Sequence, residues 1–294
     1  MPGDGTNPHD VLTAAGTKAG VRTADATLIR DGSNTLFALP GNVIARVGRP
    51  GRLAVAEREV RASRWLADNG IPVVRTLPEV DQPTEVGDRG VTWWVRLPEH
   101  RNATPAELGA VLRELHALPI PHELALPQVD PFDGLTDRIG AAAWLPDEDR
   151  TWLYEEVERL RVEHADLPSG LPLSVVHGDA WQGNVAVSNG SPVLLDLEDI
   201  GLGRPEWDLV SLAVDHTDFD RISSSDYRDF VNSYGGYDVT AWRGYRTLAT
   251  IRELRWAGFT LDKAATSQEA AREAQHRTAC LRGEVSRPWS WLAF

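Results

Sequence analysis

Two short segments of the chain carry residues whose types and spacing suit phosphoryl transfer. Residues 177–184 read His-Gly-Asp-Ala-Trp-Gln-Gly-Asn, and Asp196 follows twelve positions after Asn184. Phosphoryl transfer needs a carboxylate that orients the attacking hydroxyl and oxygen ligands that hold the metal of a nucleoside triphosphate. The pattern therefore predicts Asp179 as a base, with Asn184 and Asp196 as metal ligands.

The flanking residues indicate how these side chains are positioned. Apolar runs at 173–176 and 192–195 predict two strands, one leading into the first segment and one delivering Asp196. The alternative interpretation of the first segment is a tight turn, with Asp179 and Asn184 as turn formers and His177 as a structural histidine. The two strands and the spacing of the second aspartate favour the catalytic interpretation.

This region resembles a known enzyme family. The segment 177–184, the run Leu-Leu-Asp-Leu-Glu at 194–198 and the run Gly-Arg-Pro-Glu-Trp-Asp-Leu at 203–209 are similar to the motifs of the aminoglycoside phosphotransferase and choline kinase-like superfamily. The resemblance implies a kinase that uses ATP or GTP with Mg²⁺ on a small-molecule hydroxyl. It also implies that Asp179 is catalytic, that Asn184 and Asp196 bind the metal, and that Asp208 supports the catalytic loop together with His177.

The family's fold is similar to that of protein kinases, and the order of predicted elements agrees with it. We expect an α+β fold with a small antiparallel β-rich N-lobe (residues 1–97) and a larger, mostly helical C-lobe (residues 98–294). The N-lobe would cover the nucleotide with hairpins and one helix. The C-lobe would carry the catalytic and metal-binding loops and the acceptor site, and the nucleotide would lie in the cleft between the lobes.

The N-terminal strands provide candidates for phosphate binding. Alternating residues predict strands at 26–30 and 35–39 around a turn with Ser33 and Asn34, and a third strand at 43–47. Small residues in such a turn let backbone N–H groups approach a nucleotide. The alternative is a hairpin of a common kind that binds no ligand.

Arg46 on the third predicted strand matches the cation that kinases pair with the phosphates and with a helix carboxylate. A helix predicted over 54–69 carries Glu59 as its partner and Glu57 as the competitor. These two glutamates lie about 200° apart around a helix axis, so only one of them can face the hairpin. The alternative for Arg46 is an exposed strand arginine.

A strand predicted over 91–97 resembles the segment that contacts the nucleotide base. Trp93 and Trp94 are adjacent on it and point to opposite faces, so we expect one in the core and Trp94 on the adenine side. The backbone groups of Val95 and Arg96 would bind the base. The alternative places both tryptophans in core packing.

Composition limits the partners. The 294 residues carry 43 acidic and 30 basic side chains and a net charge of −13, which argues against nucleic acid or an anionic membrane surface. The single cysteine, Cys280, excludes an internal disulfide and a Cys-based zinc site. The sequence has no long apolar run and no signal-peptide core, so we expect a cytoplasmic protein. We expect it to be a monomer or a homodimer.

The acceptor is the least determined part of the prediction. The acidic surface favours a cationic small molecule, although many soluble enzymes are acidic without this reason. Asp215, Asp218, Asp220 and Glu253 are candidates for binding the amine of an aminoglycoside or other antibiotic, an amino sugar or an amino alcohol.

Two other functions fit parts of the sequence. A catalytically silent, nucleotide-binding regulator would share the fold, but the presence of Asp179, Asn184 and Asp196 favours an enzyme. A metal-dependent hydrolase would use the aspartates and leave the N-terminal hairpins unexplained.

Overall fold

A computed structural model describes residues 7–32 and 34–292. The helices in that part of the chain are α1 (Pro8–Ala19), α2 (Leu53–Asp68), α3 (Pro105–His116), α4 (Leu135–Ala141), α5 (Asp147–Ala165), α6 (Glu206–Thr217), α7 (Ser224–Tyr234), α8 (Tyr245–Ala264) and α9 (Gln268–Leu281). The strands are β1 (Thr27–Asp31), β2 (Thr35–Leu39), β3 (Val43–Val47), β4 (Thr84–Val86), β5 (Arg89–Val95), β6 (Arg101–Asn102), β7 (Ser174–Val176), β8 (Val185–Ser188), β9 (Ser191–Leu194) and β10 (Gly201–Gly203).

The described residues form two compact units. The first contains residues 7–103, 118–127 and 182–200, and the second contains residues 104–117, 128–181 and 201–292. An antiparallel sheet dominates the first unit and helices dominate the second, as the sequence predicts. The first unit also takes in the hairpin of β8 and β9, and the assignment of residues 1–97 and 98–294 to two functional lobes stays a prediction.

The first unit is built on the five-stranded sheet β1-β2-β3-β5-β4. Strand β3 shows how it divides its faces: Val43, Ala45 and Val47 are buried, and Arg46 between them points the other way. The buried face joins the core formed with α1 and Trp93. The opposite face meets α2, so the alternation in β3 places the Arg46 guanidinium beside that helix.

A second sheet in this unit, β6-β8-β9, supports the metal-ligand candidates. Val185 of β8 lies opposite Leu194 of β9 in an antiparallel hairpin. The Leu194 N–H donates to the carbonyl of Pro72, and the Val74 N–H donates to the Leu194 carbonyl. The apolar segment 73–77, whose residues predict a strand, makes isolated bridges at Val73 and Thr76 and no regular strand.

The second unit packs α3 on α7, α8 on α9, and α6 on α8. Helix α3 begins with a reciprocal capping box formed by Thr104 and Glu107, with Pro105 in the first turn. Residues 206–214 of α6 are all buried, including Glu206 and Asp208 in its first turn. Since these carboxylates are withdrawn from water, they need partners within the protein.

The helices were compared with the length and apolarity that a membrane-spanning helix needs. Throughout 7–32 and 34–292, no helix is long and apolar enough to cross a lipid bilayer.

Candidate active site

The loop that follows β7 is held by the carboxylate of Asp208. The His177 N–H donates to Asp208 Oδ2 at 2.7 Å and the Gly178 N–H donates to Oδ1 at 2.9 Å. Gly178 has a φ of 86°, a conformation that glycine adopts without steric cost and that aligns both amides. These are the contacts that the expected supporting role of Asp208 requires; the role in catalysis stays a prediction.

His116, at the end of α3, completes the surroundings of Asp208. Its Nε2 lies 3.0 Å from Asp208 Oδ2, and its Nδ1 lies 2.9 Å from the Tyr234 hydroxyl. With a proton on Nε2 the imidazole donates to Asp208, and its Nδ1 lies within hydrogen-bond distance of the Tyr234 hydroxyl. Burial by itself raises the pKa of Asp208, but the hydrogen bond from His116 and the charges and amide near it outweigh burial, so the pKa lies below its usual value. Asp208 therefore stays an acceptor at neutral pH.

Asp179 lies in the same loop with about half of its side chain exposed. Its Oδ1 is 3.3 Å from the Arg252 guanidinium, which is almost fully buried on α8. Arg252 also donates to the carbonyls of Gly178 and Trp207 and lies 3.9 Å above the Trp207 ring. A fixed cation thus orients an exposed carboxylate, a contact that the sequence analysis missed.

In the first unit, Arg46 is surrounded by carboxylates; we call Arg46, Glu59, Asp196 and Glu198 the Arg46 cluster. Arg46 Nη1 donates to Glu59 Oε1 at 2.5 Å, and Nη2 donates to Asp196 Oδ1 at 3.2 Å and to Glu198. Asn34 also donates to Glu198. The structure therefore brings the predicted strand cation together with a predicted metal ligand, and it adds Glu198, for which the sequence analysis gave no role.

The two glutamates of α2 differ as the helical angle predicts. Glu59 is buried and paired with Arg46, whereas Glu57 is exposed. Burial raises the pKa of Glu59 to about 7, although Arg46 opposes the shift. The predicted Arg46–Glu59 contact is present, and its part in nucleotide binding stays a prediction.

Asn184 and Asp196 are placed by the β8–β9 hairpin. Asn184 directly precedes β8, Asp196 follows two residues after β9, and the Leu195 N–H donates to the Asn184 carbonyl at 2.9 Å. Asp196 has a φ of 53°, a left-handed conformation that aspartate tolerates better than most residues. The hairpin closure brings these two segments side by side.

The donor set fits a hard divalent cation. Amide and carboxylate oxygens are the ligands that Mg²⁺ takes, usually one or two from the protein with the rest from phosphates and water. When its members are ionised, the Arg46 cluster has a formal charge of −2. Within the described chain, no group of three or more His, Cys, Asp or Glu could hold a metal by itself. Asn184 and Asp196 thus supply two oxygen donors of the kind that Mg²⁺ takes.

The tryptophans of β5 are both buried. Trp93 belongs to the core, and its indole N–H donates to Thr84. Trp94 is 5% exposed, and its indole N–H donates to Thr92 at 2.8 Å. This agrees with the alternative in which both rings serve packing, and contact of Trp94 with a base stays a prediction.

The expected base-binding backbone is partly occupied. The Val95 N–H donates to the Arg75 carbonyl and the Arg96 N–H donates to the Asn42 carbonyl, each at 2.8 Å. A base would therefore have to use other groups of this segment as donors. Ser33, the other candidate near the phosphates, lies outside the described residues.

The acidic candidates for acceptor binding are matched by arginines. Arg246 lies 2.7 Å from both Asp218 and Glu253, which are buried, and Arg287 lies 3.0 Å from Asp218. Burial raises the pKa of Glu253 to about 8, and the neighbouring Asp218 adds to the shift. A cationic acceptor would have to compete with both guanidiniums here.

The two remaining acidic candidates for acceptor binding are Asp215 and Asp220. Asp215 pairs with Arg221 at 2.9 Å, and Asp220 is an exposed residue with a φ of 52°. Acceptor binding by Asp215, Asp218, Asp220 or Glu253 stays a prediction.

Comparison with known proteins gives one family match and several structural matches. A family model described as the phosphotransferase enzyme family matches residues 26–249. A choline/ethanolamine kinase family protein from Mesorhizobium loti is 21% identical, with a TM-score of 0.63 over 94% of this chain and 95% of that one. The amicoumacin kinase hAmiN in complex with AMP-PNP, Ca²⁺ and Ami is 14% identical, with a TM-score of 0.70 over 93% and 92%.

The choline kinase of Streptococcus pneumoniae is 15% identical, with a TM-score of 0.64 over 93% of this chain and 98% of that one. A search of curated proteins finds no match. At these identities the structural similarity establishes the fold, and it confirms the predicted protein kinase-like α+β class.

The Arg46 cluster predicts an asymmetric double-mutant cycle for the free energy of unfolding. Arg46→Ala leaves carboxylates facing one another, one of them buried, and should cost about 3–5 kcal/mol. Glu59→Ala should cost less, since Arg46 keeps two acidic partners. The double variant should be less destabilised than the sum by about 0.5–3 kcal/mol, measured by urea unfolding.

Glu57→Ala is the matched control on the same helix and should change stability by no more than about 0.5 kcal/mol. Fully additive losses for Arg46→Ala and Glu59→Ala would show that the two side chains do not act as a unit.

Proposed function

Because the chain belongs to the phosphotransferase enzyme family, we propose that it transfers the γ-phosphoryl group of ATP or GTP to a hydroxyl of a small molecule. The observation that carries the proposal is the Arg46 cluster. In it one strand arginine contacts both a helix glutamate and Asp196, the predicted metal ligand. That linkage is what a kinase needs to fix its phosphates and its metal together.

On the donor side, Asn184 and Asp196 would hold Mg²⁺ and Arg46 would contact the phosphates. Bound there, the metal would neutralise charge on the phosphate oxygens. The guanidinium of Arg46 is already held by Glu59, so it meets a phosphate in a fixed orientation with little loss of side-chain freedom. The nucleotide and Ca²⁺ in the amicoumacin kinase structure support a donor of this kind.

On the acceptor side, Asp179 would orient the hydroxyl and take up its proton. Its carboxylate is exposed enough to meet a substrate and is held by Arg252, while Asp208 fixes the backbone of the loop. In a loose transition state the proton leaves late, so orientation is the larger contribution of this group.

The class of acceptor follows from the family only in outline. The structural relatives include a choline kinase and an amicoumacin kinase, which supports a small-molecule alcohol. An aminoglycoside or other antibiotic, an amino sugar and an amino alcohol are the candidates that the sequence predicts.

Asp196→Asn should weaken the binding of Mg-ATP and Mg-GTP by about tenfold or more, because the metal loses a charged oxygen ligand. Isothermal titration calorimetry measures this directly. Asp81→Asn makes the same chemical change at an exposed position of the same unit and should leave the affinity unchanged. An unaltered affinity in Asp196→Asn would remove this residue from the metal site.

Asp179→Asn should lower kcat by roughly 10²–10⁴-fold, since the variant keeps the shape of the side chain but loses the base. The Kd for Mg-nucleotide should barely change, which separates Asp179 from Asp196. ADP or GDP release with an accepted substrate gives kcat. Near-normal turnover would mean that Asp179 is structural, and absence of turnover in the unaltered protein with every acceptor would favour the silent, nucleotide-binding alternative.

A further inference from the structure

The second unit contains a cavity of about 430 Å³ that is lined by neither Asp179 nor Asp208. Its walls are aromatic and basic, formed by Arg221, Trp256, Phe259, Thr260, Arg277 and Trp291. Trp256, Phe259 and Thr260 belong to α8, and Arg277 belongs to α9. Phe259 is 43% exposed, which leaves one ring of the wall open to a ligand.

The charged side chains that line this cavity are basic, and each is paired with a carboxylate outside the lining. Arg221 and Arg277 line it, and the Lys263 ammonium lies 5.7 Å from the Phe259 ring. Asp215 and Glu273 pair with the two arginines, but neither carboxylate lines the cavity. A ligand in the cavity therefore meets guanidinium groups and no carboxylate.

Two aromatic rings, Trp291 in the wall of the cavity and Phe219 beside it, are faced by guanidiniums of the protein. Arg221 lies 4.3 Å from the centre of the Phe219 ring, and Arg277 lies 4.9 Å from the centre of the Trp291 ring, which stacks on Trp289. An aromatic cage for an ammonium group needs free ring faces. Here Arg277 takes that position at Trp291, so a cationic ligand would have to compete with it for this ring and would lie near the guanidinium of Arg221.

Helix α8 connects the cavity with the catalytic loop. Arg252, which contacts Asp179, is followed at intervals of four residues by Trp256 and Thr260, so the three share one face of the helix. The two cavity residues lie about 6 and 12 Å along the axis from Arg252. Side chains on a helix lean towards its N-terminus, so Trp256 leans towards Arg252. Two residues of the cavity wall and the arginine that contacts Asp179 thus lie along one face of the same helix.

We propose that this cavity seats the acceptor of the phosphoryl transfer, and that the acceptor is an alcohol with an aromatic ring and an anionic group. The inference rests on the proposed function and refines it. The rings of Trp256 and Phe259 would pack on the acceptor ring, Arg221 would bind the anion, and the hydroxyl would extend towards Asp179. The acidic composition predicts that acidic side chains bind the acceptor. In this proposal, arginine and aromatic side chains bind it instead.

Three probes that share a benzene ring and a primary alcohol test the charge preference: 4-(hydroxymethyl)benzoate, benzyl alcohol and 4-(hydroxymethyl)benzylamine. Binding to the full chain without nucleotide is measured by ligand-observed NMR titration. The carboxylate should bind about tenfold more tightly than the amine, as expected for one charge-assisted contact, with the neutral alcohol between them.

Variants locate the binding. Arg221→Gln should abolish the preference for the carboxylate, and Arg221→Lys should restore most of it. Phe259→Ala should weaken all three probes alike, and Val162→Ala, an exposed apolar residue on α5, should change nothing. Equal or tighter binding of the amine, no detectable binding of any probe, or unchanged binding in both Arg221→Gln and Phe259→Ala would overturn the proposal.

A second readout separates the two proposals. With ATP and Mg²⁺, Phe259→Ala should raise the KM of the carboxylate several-fold with little change in kcat, measured by ADP release. Turnover of amines in preference to carboxylates would overturn the cavity proposal and leave the proposed function intact. Binding in the expected order without ADP release from any acceptor would overturn the proposed function, and with it the cavity's role as an acceptor site.

Discussion

The guanidinium of Arg46 contacts three carboxylates, which leaves an excess of negative charge around it. The chemistry proposed for the first unit depends on this excess. The guanidinium is mostly buried, so its interactions are little screened by water. Glu59 holds it from α2, while Asp196 and Glu198 reach it from the segment after β9. The excess negative charge makes the cluster suited to a divalent cation, and the ion pair with Glu59 orients Arg46 for a phosphate.

In the second unit, buried carboxylates face backbone amides, a histidine and arginines. Asp208 accepts from two loop amides and His116, and so sets the backbone that presents Asp179. Asp218 and Glu253 are matched by arginines in the same way. The carboxylates of Asp218 and Glu253 thus face guanidiniums, whereas the cavity in this unit is lined by arginine and aromatic side chains.

Local patterns predicted the parts of the site that depend on nearby residues. Alternation in β3 places Arg46 opposite the core face, and the helical angle distinguishes Glu59 from Glu57, because both are short-range geometry. The contact between His116 and Asp208 joins residues 92 positions apart, and no sequence period encodes it. Arg252 likewise approaches Asp179 across 73 positions through the packing of α8. Such contacts follow from tertiary packing, which a single sequence does not specify.

The most direct test of phosphoryl transfer is detection of its product by ³¹P NMR. The protein is incubated with Mg²⁺, ATP or GTP, and a panel of alcohols that includes anionic aromatic, neutral and amine-bearing members. We expect a phosphomonoester signal that grows in step with ADP or GDP, favours the anionic aromatic alcohols and is absent in Asp179→Asn. Release of inorganic phosphate without a phosphomonoester, or no reaction with any acceptor and either nucleotide, would contradict the assignment.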